Sequence, residues 1–221
     1  MDINGEKFNP AYTGYRRDIE DLVPRSAHKI LEFGCSIGEL GDNLKRHIGA
    51  NVTGVELDEK MAQVAQKRLD RVIVADIDNL TFDDHFSEDN FDCIIFADVL
   101  EHLKNPWDVL KDATNHLDRE GYIIISIPNI RHYSVIVNLL FRGYWPYRSR
   151  GIHDKTHLRF FTLKNIIELV QYADLDIVTL KRNYRIIEKP HPYNHYARCL
   201  SFPPFRELFV FQYLIVAKKR Q

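Results

Sequence analysis

In the stretch Ile30–Gly41, ILEFGCSIGELG, an apolar run stops at a glycine and reopens into a helical pattern. A strand, a tight glycine turn and a helix, in that order, make the place where doubly wound α/β domains hold a nucleotide. The glycines stand at 34, 38 and 41, however, and Ser36 takes the position of the second glycine in the dinucleotide fingerprint G-x-G-x-x-G. That glycine lets the backbone approach a pyrophosphate. The stretch is therefore either a damaged dinucleotide loop or an intact loop for a different cofactor.

Outward from this loop the chain alternates strand and helix patterns. Strands are predicted at His28–Phe33, Asn51–Glu56, Arg71–Ala75, Phe91–Ala97 and Gly121–Ile127, the last stopped by Pro128. Helices are predicted over Gly38–His47, over Asp58–Leu69 with Asp58 as N-cap, and from Asn105-Pro106, where proline suits the first turn. Later, Thr162 caps a helix over Leu163–Ala173, and strands follow at 175–180 and 208–217. Short buried strands separated by helices predict an α/β fold, a doubly wound, Rossmann-like, seven-stranded and mostly parallel sheet covered on both faces. Its ligand would lie at the C-terminal ends of the strands. We expect a single domain over 1–221 with a cofactor-binding core at 23–128. The irregular segments 129–161 and 183–205 are expected to be lid or substrate insertions, because long loops in a compact domain are usually functional.

Composition narrows the class. The chain has 221 residues, 45% hydrophobic and 28% charged, which is a globular rather than a disordered balance. A net charge of −1 argues against a nucleic-acid partner. The three cysteines are scattered, with no C-x-x-C pair, which suits a reducing compartment. No apolar run approaches the ~20 residues of a membrane span, and the N-terminal stretch lacks the apolar core of a signal peptide. A cytoplasmic location is the expectation.

Four acids stand at or beyond successive strand ends: Glu32, Glu56, Asp76 and Asp98. A carboxylate about 20 residues after the first loop glycine accepts ribose hydroxyls, and Glu56 is placed for that. Asp76 is placed to accept the exocyclic amine of an adenine lying beside Leu57 and Ile77. Glu32 would repel a pyrophosphate and attract a cationic amino group. S-adenosyl-L-methionine carries an ammonium, a ribose and an adenine and no phosphate, so it fits this ladder better than NAD.

With these segments the chain resembles the class I S-adenosylmethionine-dependent methyltransferases. The matching segments are ILEFGCSIGELG, GVELDEKMA, VADIDNL, FDCIIFADVLEHLKNP and GYIIISIPN, within about Val23–Ala173. More narrowly it looks like small bacterial methyltransferases related to methionine-biosynthesis and polysaccharide-cluster proteins, by its D-V-L-E-H motif (98–102), Pro128-Asn129 and T-H-L-R-F-F-T (156–162). The resemblance implies Gly34, Cys35 and Gly38 in the cofactor loop, Glu32 near the methionine amino group and Glu56 on the ribose. It also implies Asp76 and Ile77 at the adenine, Asp98 facing the methionine part, an antiparallel last strand, and S-adenosylhomocysteine as product.

Methyl transfer to a hydroxyl or amine requires loss of a proton, and histidine is the natural base. The candidates are His157, His132 and His153, with Asp154 orienting a neighbouring ring; His157 ranks first because it lies in the motif shared with the resembling proteins. H-D-x-x-H at 153–157 would place two metal ligands on one face of a helix. Gly151 before it and the extended LRFFT after it oppose a helix, and no metal is assigned. Arg131, Tyr144 and Arg159 are candidates for substrate binding, with Arg148 and Arg150 also able to meet an anionic group, and Tyr12 and Tyr15 to close over the cofactor. The expected reaction is methyl transfer to oxygen or nitrogen of a small-molecule acceptor, a sugar or nucleotide-linked sugar, with a homodimer left open. The rivals are an S-adenosylmethionine-binding accessory protein of methionine metabolism and an NAD-dependent enzyme.

Overall fold

The computed structural model describes residues 2–3, 6–8, 13–87, 89–188, 191–199, 202–203 and 205–220. Seven strands build one sheet: β1 Lys29–Phe33, β2 Asn51–Glu56, β3 Arg71–Val74, β4 Phe91–Ala97, β5 Leu117–Pro128, β6 Leu175–Tyr184 and β7 Val210–Lys219. Their order is β3-β2-β1-β4-β5-β7-β6. The first five are parallel, and β7 runs antiparallel to both β5 and β6. This is the expected Rossmann-like sheet with an antiparallel last strand.

Strand side chains alternate between faces, and the sequence is apolar at both phases. On β4, Ile94 and Phe96 join one core layer, while Cys93 and Ile95 join the other. Ile125 of β5 and Ile215 of β7 repeat the first phase, and Ile124 and Leu214 the second. The first layer is closed by α4 (Pro106–Asn115) and α5 (Leu163–Tyr172), through Leu110 and Ile166. The second is closed by α1 (Glu39–Ile48), through Leu40 and Leu44. Phe33 stacks on Phe96 at 4.6 Å across the sheet centre. Each such ring contributes roughly 1.5–3 kcal/mol by leaving water.

Helix ends follow their caps. Asp58 accepts the Lys60 and Met61 N–H groups to start α2 (Glu59–Ala65), and Thr162 forms a capping box with Asn165 to start α5. α2 is shorter than the sequence pattern predicts, ending at Ala65 rather than Leu69. The chain turns there so that Leu69 can fill space left by glycines: a Cβ at Gly41 would meet Leu69 Cδ2 at 2.6 Å. α3 (Phe82–Phe86) and a helical turn at Arg17–Glu20 were not expected. β5 begins four residues earlier and β6 ends four later than predicted, because both pair with neighbours beyond their apolar runs.

The 129–161 insertion is closed at its neck. Asn129 pairs with Phe161, the Ile130 N–H donates to the Phe161 carbonyl (2.9 Å), and the buried Asn129 amide donates to Val210 and Glu207 carbonyls (2.8 Å each). Within it a short helix, Tyr133–Ile136, runs into a π-turn, Val137–Phe141. Among the described residues no helix is long and apolar enough to cross a membrane.

Candidate active site

β1 has β2 on one side and β4 on the other, so the sheet order reverses at its C-terminal end. A cavity of about 1370 Å³ opens there, lined by the β1–α1 loop, the ends of β2 and β4, and Arg148, Arg150, Asp154 and His157 of the 129–161 segment. The loop takes the left-handed conformation three times, at Gly34 (φ 65°), Ser36 (φ 52°) and Gly38 (φ 77°). Only glycine suits position 34, where a Cβ would lie 2.7 Å from Val99 Cγ2.

The acids reach the cavity in different states. Glu56 is buried and accepts the Ser36 N–H (2.8 Å) and the Asp58 N–H (2.9 Å), one on each oxygen. A carboxylate offers about four acceptor positions, so room remains for a diol. Asp76 accepts the Asp78 N–H (3.1 Å) and the Asn79 amide (2.7 Å), capping a 3₁₀ turn that carries Ile77 to the cavity wall. Leu57, 65% exposed, is an uncovered apolar surface on the same wall. Glu32 is 4% exposed and its Oε2 has no hydrogen-bond partner among the described residues. Burial, added to by the Glu56 charge and partly offset by a Gly41 backbone hydrogen bond, pushes its pKa up to about 8.

Asp98 sits at φ 59° and is held from three sides. Ser126 Oγ donates to it at 2.9 Å, and the Gln212 amide and the Arg16 guanidinium also donate. Arg16 in turn grips Asp18 through Nε (2.8 Å) and Nη2 (3.1 Å). Beyond Asp98, Glu101, His102 and His157 gather where the 129–161 segment meets the cavity. The His102 and His157 rings meet edge to face at 4.7 Å. Burial, then the neighbouring His102, pushes the His157 pKa down to about 4, so its ring is neutral near pH 7. Burial and then the Asp98 charge hold the Glu101 pKa well above the usual carboxylate range.

A family model described as a methyltransferase domain matches residues 10–180. The chain belongs to this methyltransferase family. S-adenosyl-L-methionine, the cofactor expected from the sequence, accords with that family. A relative named ubiquinone biosynthesis O-methyltransferase, from Shewanella pealeana, is 26% identical over 150 residues, covering 66% of this chain and 63% of that protein. The chain thus spans under two thirds of that relative's length. A SAM-dependent methyltransferase from Archaeoglobus fulgidus shares the fold at a TM-score of 0.63 and 18% identity, covering 95% of this chain and 97% of that one. The plantazolicin methyltransferase BpumL, solved with SAH, has a TM-score of 0.57 and 19% identity, covering 91% and 80%.

Within the methyltransferase, the cavity gathers most but not all of the residues expected of it. Glu32, Gly34, Cys35, Glu56, Leu57, Asp76, Ile77 and Asp98 line it; Gly38 instead caps α1. The Cys35 thiol is buried, with its Sγ 2.5 Å from where a Cβ on Gly54 would lie, and burial pushes its pKa up, so it packs rather than reacts.

Of the proton-handling candidates, His157 and Asp154 line the cavity and His132 and His153 do not. His132 is wholly buried: Nε2 pairs with the Arg185 carbonyl (2.9 Å) and Nδ1 with Ser134 Oγ (2.8 Å), so both ring nitrogens are occupied, and Nδ1 caps the helix Tyr133–Ile136. His153 is wholly buried against Trp145, with Nδ1 2.9 Å from Glu188. Asp154 accepts from the Thr156 hydroxyl (2.7 Å) and N–H (2.9 Å).

The three substrate-binding candidates also fall outside the cavity. Arg159 donates to the Lys104 carbonyl and lies over the Trp107 ring, Arg131 borders a separate surface depression beside Tyr213, and Tyr144 is exposed. Tyr15 lines the cavity but gives its hydroxyl to Glu20, and Tyr12 lies outside the described residues. Arg16, Glu101, Arg185, Glu188 and Gln212 line the cavity without having been singled out. Glu101 lay inside the quoted D-V-L-E-H motif; the others carry no local signal, because contacts over long sequence separations bring them in.

Proposed function

We propose that this methyltransferase moves the methyl group of S-adenosyl-L-methionine to an oxygen or nitrogen atom of a small molecule, a sugar or nucleotide-linked sugar being the acceptor class. One observation carries the reading: a single cavity joins the acid ladder of β1–β4 to the Glu101, His102 and His157 cluster of the lid side. On this reading Glu56 takes the ribose diol, Leu57 and Ile77 flank the adenine with Asp76 at its amine, and Glu32 and Asp98 lie toward the ammonium. The sulfonium is already a good leaving group, so the protein chiefly aligns the acceptor in line and strips water from it. The acceptor's proton departs at the lid end, where His157 offers a neutral imidazole.

Two observations support the acceptor class. Arg150 lines the cavity with no partner among the described residues, and it matches a phosphate or other anionic group. The relative from Shewanella pealeana is named an O-methyltransferase, which favours oxygen as the acceptor atom. The test incubates the protein with labelled S-adenosyl-L-methionine and a panel of nucleotide sugars, and looks for a methylated product. Glu56→Ala removes charge-assisted contacts and is expected to weaken cofactor affinity on the order of tenfold to a hundredfold by calorimetry. Unchanged affinity in both Glu56→Ala and Asp76→Ala would sink the cofactor placement. Tight cofactor binding with no turnover on any acceptor would point to an accessory protein instead.

A further inference from the structure

Glu101, His102 and His157 bring one carboxylate and two imidazoles together, with their ligand atoms all within 4.8 Å of one another. Glu101 and His102 come from the turn after β4, and His157 comes from the returning limb of the 129–161 insertion. The backbone fixes that meeting, because the Leu158 and Arg159 N–H groups both donate to the Glu101 carbonyl at 2.9 Å.

Two features of the cluster lack an explanation within the protein. Glu101 is 1% exposed, and its Oε2 has no hydrogen-bond partner among the described residues. An orphaned buried carboxylate oxygen is expensive, on the order of several kcal/mol if charged. Its Oε1 stands 3.9 Å from His157 Nε2, too far for a hydrogen bond and open enough for an ion between them. The His102 ring is also aimed from behind, with Nδ1 against the Thr156 carbonyl (3.3 Å) and hydroxyl (3.1 Å). Metal-binding histidines are oriented this way, one ring nitrogen on a backbone carbonyl and the other left for the ion.

We propose that Glu101, His102 and His157 bind one divalent transition-metal cation, whose remaining positions face the cavity and take the acceptor's hydroxyl oxygen. This rests on the methyl-transfer reading and makes His157 a ligand rather than the base. Two imidazoles and one carboxylate suit zinc, manganese, iron(II) or cobalt better than the all-oxygen shells of magnesium and calcium. Three protein ligands leave open coordination, and at metal–ligand distances of ~2.0–2.2 Å the donors would draw in by roughly 1 Å. Held by the cation, the acceptor hydroxyl is acidified and gives its proton to cavity water. The O–CH₃ bond forms as the S–CH₃ pair returns to sulfur, leaving S-adenosylhomocysteine, and the cation's oxidation state does not change.

Histidine spacing in the sequence points elsewhere, to His153 and His157. The structure separates them: His153 turns to Glu188, and His157 instead meets Glu101 and His102.

The test strips the protein with a chelator and titrates it with Co²⁺ alone, read by visible d–d absorption and calorimetry. One ion per chain is expected. Affinity should fall about tenfold or more in His102→Gln and in His157→Gln, with circular dichroism and S-adenosyl-L-methionine affinity unchanged. His102 is only partly buried, so its variant guards against a folding defect. No stoichiometric Co²⁺ binding by the wild type, or full binding in both variants, overturns the site. Methyl transfer that runs equally in metal-free and metal-loaded protein overturns the cation's role and leaves the methyl-transfer reading standing. Failure of either form to bind S-adenosyl-L-methionine overturns that reading, while the Co²⁺ titration still decides the site.

Discussion

Ser36 holds the middle of the cofactor loop at φ 52°, a backbone state that costs an L-residue about 1–2 kcal/mol. Its N–H donates to Glu56, which ties the loop to the end of β2 whatever side chain it carries. Ser36→Gly removes the strain but frees the unfolded chain, which offsets about 0.4–1 kcal/mol. The expected net is a small gain, read as a melting temperature higher by about 2 °C, with cofactor affinity kept. A fall would mean that the 3.5 Å contact of the hydroxyl with Met61 Sδ outweighs the strain. Glu32 sets a pH dependence. Its folded pKa of about 8 lies above the unfolded carboxylate value of about 4.3, so between the two the native chain holds the extra proton. Stability from this group is full below about pH 4.3 and falls as pH rises toward about 8. Glu32→Gln should flatten that slope in urea midpoints measured across the range. The same group predicts proton release when the cofactor's ammonium arrives near pH 7, measurable by calorimetry in buffers of different ionisation enthalpy.

Among the elements, α5 shows how far a local cap governs stability away from the site. Thr162 accepts the Asn165 N–H at 3.5 Å, and the Asn165 side chain accepts the Thr162 N–H at 3.1 Å. Thr162→Ala is expected to cost about 1 kcal/mol, lowering the melting temperature by about 2–4 °C. Cofactor affinity should not move, because α5 packs against the core layer of Leu110 and Phe161. The caps and the strands were legible in the sequence for the same reason: each is decided within a few residues. Asn51–Glu56 and Phe91–Ala97 form as predicted, bounded by turn residues and acids. α3 was not legible, since five residues give less than two turns of periodicity. Nor was the early end of α2, which depends on Leu69 reaching glycines in other elements.

Across the whole molecule, the acid-lined side of the cavity was legible because Glu32, Glu56, Asp76 and Asp98 each stand at the end of their own strand. The side built by 129–161 and 183–188 was not. The Asp98–Arg16 contact spans 82 positions, and the bond between Ser134 and Glu188 spans 54. No spacing rule encodes either. Glu188 shows what such contacts do for the two insertions. It accepts from Arg148 Nη1 (2.8 Å) and Ser134 Oγ (3.2 Å) and pairs with His153 Nδ1 (2.9 Å), joining the 129–161 insertion to the segment after β6. Burial raises its pKa, but the His153 and Arg148 contacts outweigh that and leave it lowered. Removing it strands the wholly buried His153, whose Nε2 already has no partner among the described residues. A loss of roughly 1–3 kcal/mol concentrated in the lid is expected. Glu188→Ala should therefore raise the KM for the acceptor while leaving cofactor affinity alone. It should also speed proteolysis within 142–150, where most residues are already exposed. Glu188→Gln keeps the acceptor oxygen and should restore part of both. If Glu188→Ala alters neither the acceptor KM nor the cleavage rate, the two insertions do not act as one lid.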